Sequence, residues 1–298
     1  MGLCSSNSNL VLEEDTVTRM TALLRIVKHG YSLSWFKHRV FPYLGPNQKE
    51  IIQLRSYCKL FRDALTPPTL WTTFPHPNYP TLDELMNKLN CVYEEDPSKA
   101  PQIVFVMKGT FYIPVTKNQY GQDHNYVTIG YPIMIIGAGQ QKTIIHGGFQ
   151  IPEETKEEKK RVDMQGMTMK GSSGSGLFAH NGLSFLCNDM TFTQCGRHGH
   201  GVYAKNTKGR LINCVITQCK YSGIFCFKNA LIELEGDQTK VDGNVTSGYG
   251  NYGLQTYNTS SIIHLLFPLT EESVSTNNHG GQNYNDDAGT IETVDSFA

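Results

Sequence analysis

The feature that most restricts how this chain can fold is a short phrase that occurs four times. Gly176-Leu-Phe-Ala-His-Asn181 is echoed by Gly201-Val-Tyr-Ala-Lys-Asn206, Gly223-Ile-Phe-Cys-Phe-Lys-Asn229 and Gly253-Leu-Gln-Thr-Tyr-Asn258, with glycines 25, 22 and 30 residues apart. A second series keeps pace with it: Gly166-Met-Thr-Met169, Asp189 to Cys195, Cys214 to Cys219 and Lys240 to Asn244. Cys195, Cys219 and Asn244 are 24 and 25 residues apart. A third set, Leu183-Ser-Phe185, Leu211-Ile212, Leu231 to Leu234 and Ile262 to Leu266, adds one more apolar segment to each repeat. Three short strand-like segments per period exclude helical repeats and predict stacked coils that pair only with their neighbours. The expected fold class is therefore mainly β, a right-handed parallel β-helix (solenoid), with a small α-helical module ahead of it. Asn181, Asn206, Asn229 and Asn258 fall at expected turns, where stacked amides bond along the axis, and are read as structural.

Upstream, Ile103 to Tyr112 is a nearly continuous apolar run broken at Gly109, and Tyr126 to Ile129, Pro132 to Gly137 and Lys142 to His146 are further short strands. Continuous apolar runs suit strands buried in parallel stacks. Before them, Thr81 to Asn90 reads as a helix: Thr81 and Glu84 form a capping box, and Leu82, Leu85, Met86 and Leu89 share one face. Its expected role is to cover the open end of the coil stack. The expected boundaries are a tail at 1–9, a helical module at 10–72, a proline-rich linker and capping helix at 73–98, and the β-helix at 99–298.

Within the helical module, Val17, Met20, Leu24 and Val27 recur at helical spacing before Gly30, and Ile51 to Leu65 forms a second apolar series ended by Pro67-Pro68. Val40-Phe-Pro-Tyr-Leu44, Gly45-Pro46, Leu54-Arg-Ser-Tyr-Cys58-Lys-Leu-Phe61 and the closing Leu70-Trp71 resemble an F-box. The resemblance spans about 40 residues. It departs at the front, where Ser32-Leu-Ser-Trp35 stands in place of the usual Leu-Pro-x-Glu. It implies a module that binds a Skp-type adaptor of a cullin ubiquitin ligase, with Val40, Phe41, Leu44, Pro46, Ile52 and Leu54 as adaptor-binding residues. With Thr66 to Asp83 and Phe185 to Asn244, nearly the whole chain resembles a repetitive group of F-box proteins with solenoid domains, found in marine algae and their large viruses.

The chain begins Met-Gly-Leu-Cys-Ser-Ser, so Gly2 with Ser6 fits the N-myristoylation pattern and Cys4 supplies a second, palmitoylation site. No signal peptide or apolar stretch of bilayer length is apparent, and eight cysteines in 298 residues do not make a disulfide framework. The expected place is cytoplasmic, on the cytoplasmic face of a membrane if the tail is acylated. With 26 basic and 27 acidic residues, nothing in the net charge of -1 calls for nucleic acid. The mixed charge run Glu153 to Arg161 reads as a solvated loop.

Coil stacks often carry carbohydrate chemistry, and Gly199-His200-Gly201 resembles a short motif of pectin-cleaving hydrolases. Glycoside hydrolysis requires two facing carboxylates. Asp286-Asp287 follows the histidine motif instead of preceding it, and Asp189 has no adjacent second acid. No catalytic, metal or cofactor residues are assigned. Arg197, His198 and His200 are expected on a projecting turn, with Tyr203, Lys205 and Tyr221 nearby, as a candidate ligand-binding patch. The expected partners are a Skp-type adaptor and a protein substrate, with polysaccharide binding or cleavage and a membrane-tethered scaffold as alternatives.

Overall fold

The computed structural model describes residues 71–153, 161–196, 199–246, 251–279 and 282–295. Gly2, Cys4, Val40, Phe41, Leu44, Pro46, Ile52, Leu54, Arg197 and His198 lie outside the described residues. The described part is mainly β, with long parallel sheets whose strands return one turn later beside themselves, an arrangement compatible with a β-helix or solenoid.

Each turn contributes to three stacked faces. The first runs through Trp71–Phe74, Ile103–Val106, Met134–Ile136, the opening halves of Arg161–Lys170 and Ser184–Thr193, then Lys208–Ile212, Leu231–Glu235, Ile262–Leu266 and Thr290–Val294. The second holds Gly109–Tyr112, Thr143–His146, the closing halves of the two long strands, Val215–Thr217, Lys240–Asp242 and Ser275–Thr276. The third stacks Tyr126–Thr128, Gly148–Ile151, Leu177–His180, Val202–Lys205, Ile224–Phe227, Leu254–Tyr257 and Tyr284–Asp287. Every pairing along these faces is parallel. The three sequence series thus fall on three faces, in register.

Register explains why the repeats must match. Leu177, Val202, Ile224 and Leu254 are partners in one inward column, and Met164, Cys187, Leu211, Leu234 and Leu265 form another. All nine are buried. Alternation along a strand sends the neighbours outward, so a slip of one residue would expose the whole column. Side-chain volume is balanced between coils: Phe185 partners Gly209, and a Cβ on Gly209 would stand 2.2 Å from the Phe185 ring.

Corners are made by residues in the left-handed region. Asn181, Asn206, Asn229 and Asn258 have φ of 50°, 48°, 54° and 80°. Asparagine tolerates this conformation better than most residues. The expected amide ladder is only partly made there, by Asn229 Nδ2 to Asn206 Oδ1 at 3.5 Å. The continuous asparagine ladder lies inside, at the next corner. Asn244 Oδ1 accepts from Cys219 N–H at 3.1 Å, while its Nδ2 donates to Ile216 O at 3.0 Å. Asn278 repeats this one coil on, accepting from Asn244 N–H at 2.9 Å and donating to Val241 O at 3.2 Å. Cys195 and Cys219 hold the same column in earlier coils and are buried, and the side-chain hydrogen bond between them together with burial pushes the Cys195 thiol pKa well above the ordinary value.

The repeat glycines serve close approach. A Cβ on Gly201 would meet Gly223 O at 2.6 Å, and one on Gly223 would meet Gly253 O at 2.8 Å.

The helix anticipated at Thr81 to Asn90 spans Leu82–Glu95. Thr81 accepts from Glu84 N–H at 3.4 Å, which is one half of the expected capping box. Leu82, Leu85, Met86 and Leu89 are buried in the same apolar cluster as Val104 and Val106. The helix continues past Asn90 because Asn90 is held by Thr128 O and Gly130 N–H, and Tyr93 stacks on Tyr131 with centroids 4.6 Å apart. Trp71, expected to close the helical module, instead begins a strand paired with Ile103 to Val106. Trp-Thr-Thr-Phe is aromatic and β-branched, a composition that suits a pleated, half-buried surface.

Candidate functional site

The third face carries the most distinctive outward surface. Because Leu177, Ala179, Val202, Ala204, Ile224 and Cys226 point in, their alternates Phe178, His180, Tyr203, Lys205, Phe225 and Phe227 point out. Register lines them up in two columns: Phe178, Tyr203 and Phe225 in one, and His180, Lys205, Phe227 and Tyr257 in the other.

The rings of the first column lie on one another. Phe178 and Tyr203 have centroids 4.9 Å apart with planes 16° from parallel, and Tyr203 and Phe225 are 5.6 Å apart. Coil spacing in a parallel sheet, about 4.8 Å, imposes this stacking on any aromatic column. In the second column the face of Phe227 is covered by cations: Lys228 Nζ lies 5.3 Å and Lys205 Nζ 6.0 Å from its centroid. Lys205 Nζ also donates to His180 Nε2 at 2.6 Å. Burial and the neighbouring Lys205 lower the His180 pKa, so the ring accepts as neutral imidazole. Tyr257, 45% exposed, ends the stripe.

His200 corrects an expectation. Expected on a projecting turn, it is 9% exposed, stacked on Phe225 at 4.7 Å and 12°, and flanked by Tyr203 and Tyr221 at 5.7 and 5.6 Å. It folds inward because the aromatic column beside it offers a flat apolar bed. Desolvation pushes its pKa down to about 3, so it is uncharged at neutral pH. Its Nδ1 is buried without a hydrogen-bond partner among the described residues.

Of the six residues of the candidate ligand-binding patch, the structure brings together His200, Tyr203, Lys205 and Tyr221. Phe178, His180, Phe225, Phe227, Lys228 and Tyr257 belong to the same surface and were missed. Period-two alternation applied to the repeated phrase would have found most of them, since its third and fifth residues point outward.

The acidic residues are arranged differently. Asp286 and Asp287 lie exposed on the last strand of the third face, beside Thr256 and Tyr257. Asp189 sits in the left-handed region, with φ of 50°, inside a long strand. On the first face Arg210 reaches both Glu235 at 2.8 Å and Glu233 at 3.8 Å, and His264 reaches Glu292 at 3.4 Å. The Arg210 contacts are partly exposed ion pairs of the kind that line a solvated sheet face. Among the described residues no cluster of His, Cys, Asp or Glu is grouped as a metal site requires, and no helix is long and apolar enough to cross a membrane.

No family model and no curated protein matches this chain, so its functional reading rests on the outward stripe of the third face and on the sequence of the segment before it.

Proposed function

We propose that this chain is a non-catalytic recognition protein. Its coil stack, a right-handed parallel β-helix, reads a protein target across the aromatic stripe. Its F-box-like head, residues 10–70, engages a Skp-type adaptor of a cullin ubiquitin ligase, with Trp71 and Thr72 belonging to the strand that opens the coil stack. The observation that carries the reading is the stripe of Phe178, Tyr203, Phe225, Phe227 and Tyr257, contributed by consecutive coils of one face. Aromatic rings supply much of the energy at protein interfaces, and a sheet beneath them fixes their positions before binding. The F-box resemblance of Val40 to Trp71 supports the head. Acylation at Gly2 and Cys4 would add a membrane tether without altering either role, and places the complex on the cytoplasmic face.

A polysaccharide-binding or polysaccharide-cleaving coil stack is the second reading, and the exposed ring of Tyr257 favours it. Affinity capture with the tagged full-length chain separates the two. The proposal expects a Skp-type adaptor to be retained by the wild type and by Tyr203→Ala/Phe225→Ala, but lost on Leu44→Asp/Leu54→Asp. Absence of the adaptor from the wild-type capture, together with retention on a polysaccharide column, would sink the receptor reading.

A further inference from the structure

We infer that the stripe takes an acidic peptide segment, one that sets carboxylates against Lys205 and Lys228 and apolar side chains against the ring edges. This inference rests on the recognition reading and adds the chemistry of its target.

Stacking decides which part of each ring is available. Phe178, Tyr203 and Phe225 lie against one another, and His200 takes a face of Phe225. The two lysines occupy Phe227. Sugars and nucleic-acid bases use open aromatic faces, and along the stripe these are taken on Phe178, Tyr203, Phe225 and Phe227, which leaves them the ring of Tyr257, 45% exposed. What remains outward is the ring edge. An aromatic quadrupole is negative on its face and positive at its edge, so a row of edges favours oxygen-bearing, electron-rich groups.

The cations of the stripe sit together at its middle. Lys205 is half-buried beside the column and Lys228 is exposed next to it. Burial raises the Tyr203 pKa above its ordinary value, so its phenol stays protonated and can donate to an anion. His180 is held neutral and does not repel Lys205. Among the described residues opposing charge lies at the two ends of the stripe, at Glu153, whose charge acts on His180, and at Asp286 and Asp287 beyond Tyr257. Positive charge is thus centred on the coils of Lys205 and Lys228. A carboxylate there meets ammonium groups, a phenol donor and positive ring edges together, and charge-assisted hydrogen bonds are the stronger kind.

The test uses the full-length chain and three fluorescent probes: a peptide alternating Glu and Leu, an oligogalacturonate, and a single-stranded RNA. The peptide is expected to bind, to weaken by about tenfold or more in Lys205→Glu/Lys228→Glu, and to weaken as salt is raised. Lys205→Gln/Lys228→Gln should give an intermediate loss, and an unchanged melting temperature shows that both variants fold. No peptide binding, or binding indifferent to the lysines, overturns the acidic-peptide inference. Oligogalacturonate or RNA binding in preference to the peptide overturns it as well. The recognition reading is judged separately: loss of the captured target in Tyr203→Ala/Phe225→Ala but not in Lys205→Glu/Lys228→Glu would keep the stripe as reader and reject the acidic chemistry.

Discussion

At the scale of single residues, His200 shows how a neighbour's ring can change what a side chain is. In sequence it is a polar residue between two glycines, which suits an exposed turn; nothing local reports the flat bed that Phe225 supplies. The result is an imidazole whose pKa is lowered to about 3 by desolvation. The linkage is direct. A folded pKa below the unfolded value of about 6.5 means that the unfolded chain binds the proton first, so stability falls as pH drops through about 6.5 and keeps falling towards 3. Over the interval from pH 7 to pH 5, His200 should cost about 2 kcal/mol of stability. Denaturant unfolding at the two pH values checks this, with His200→Phe as the control. The variant should lose most of that difference, and an unchanged difference would mean that His200 is not desolvated. Residues set by period, such as Leu177, Val202 and Ile224, were by contrast legible from their spacing alone, because stacking forces equivalent positions to the same side.

At the scale of elements, the first turn of the capping helix and its apolar face could be read from Thr81, Leu82, Leu85, Met86 and Leu89, since both depend on neighbours three and four residues away. Its last turn could not. It persists through Glu95 because Asn90 and Tyr93 are anchored on residues some 40 positions later, around Thr128 to Tyr131. Trp71–Phe74 likewise becomes a strand through its pairing with Ile103–Val106, a contact no local pattern announces. The helix is more than a lid. Leu85 and Met86 are buried among the same residues that fill the first coils. Leu85→Ala should therefore lower stability by about 3 kcal/mol, through lost transfer energy and the cavity left behind. Equilibrium urea unfolding of the full chain measures it. A change near zero would show that the helix rests on the coils without completing their core.

At the scale of the whole described structure, strand pairing joins each coil to the coils before and after it, so stability is close to a sum of neighbour terms. The three outward surfaces follow from this plan: one of ion pairs on the first face, one rich in threonine on the second, and the aromatic stripe on the third. The sequence made the plan legible but left the stripe half seen, because its periodicity identifies columns without saying which columns rings and charges will cover together. The plan also predicts how damage spreads. Asn244 accepts from Cys219 N–H and donates to Ile216 O, and its own N–H is received by Asn278, so it joins three successive coils at one buried corner. In Asn244→Leu the volume is kept while Cys219 N–H and Ile216 O lose their partner, at a cost of about 3 kcal/mol. Because coupling is between neighbours, the loss should be local. Hydrogen exchange is expected to quicken at the amides of Cys219, Val241, Asn244 and Asn278, while those of Val104, Ile135 and Met164, on the opposite end of the stack, keep their protection. Uniform acceleration along the chain would instead mean that the coils unfold as one cooperative block, and that the corner ladder contributes to all of them equally.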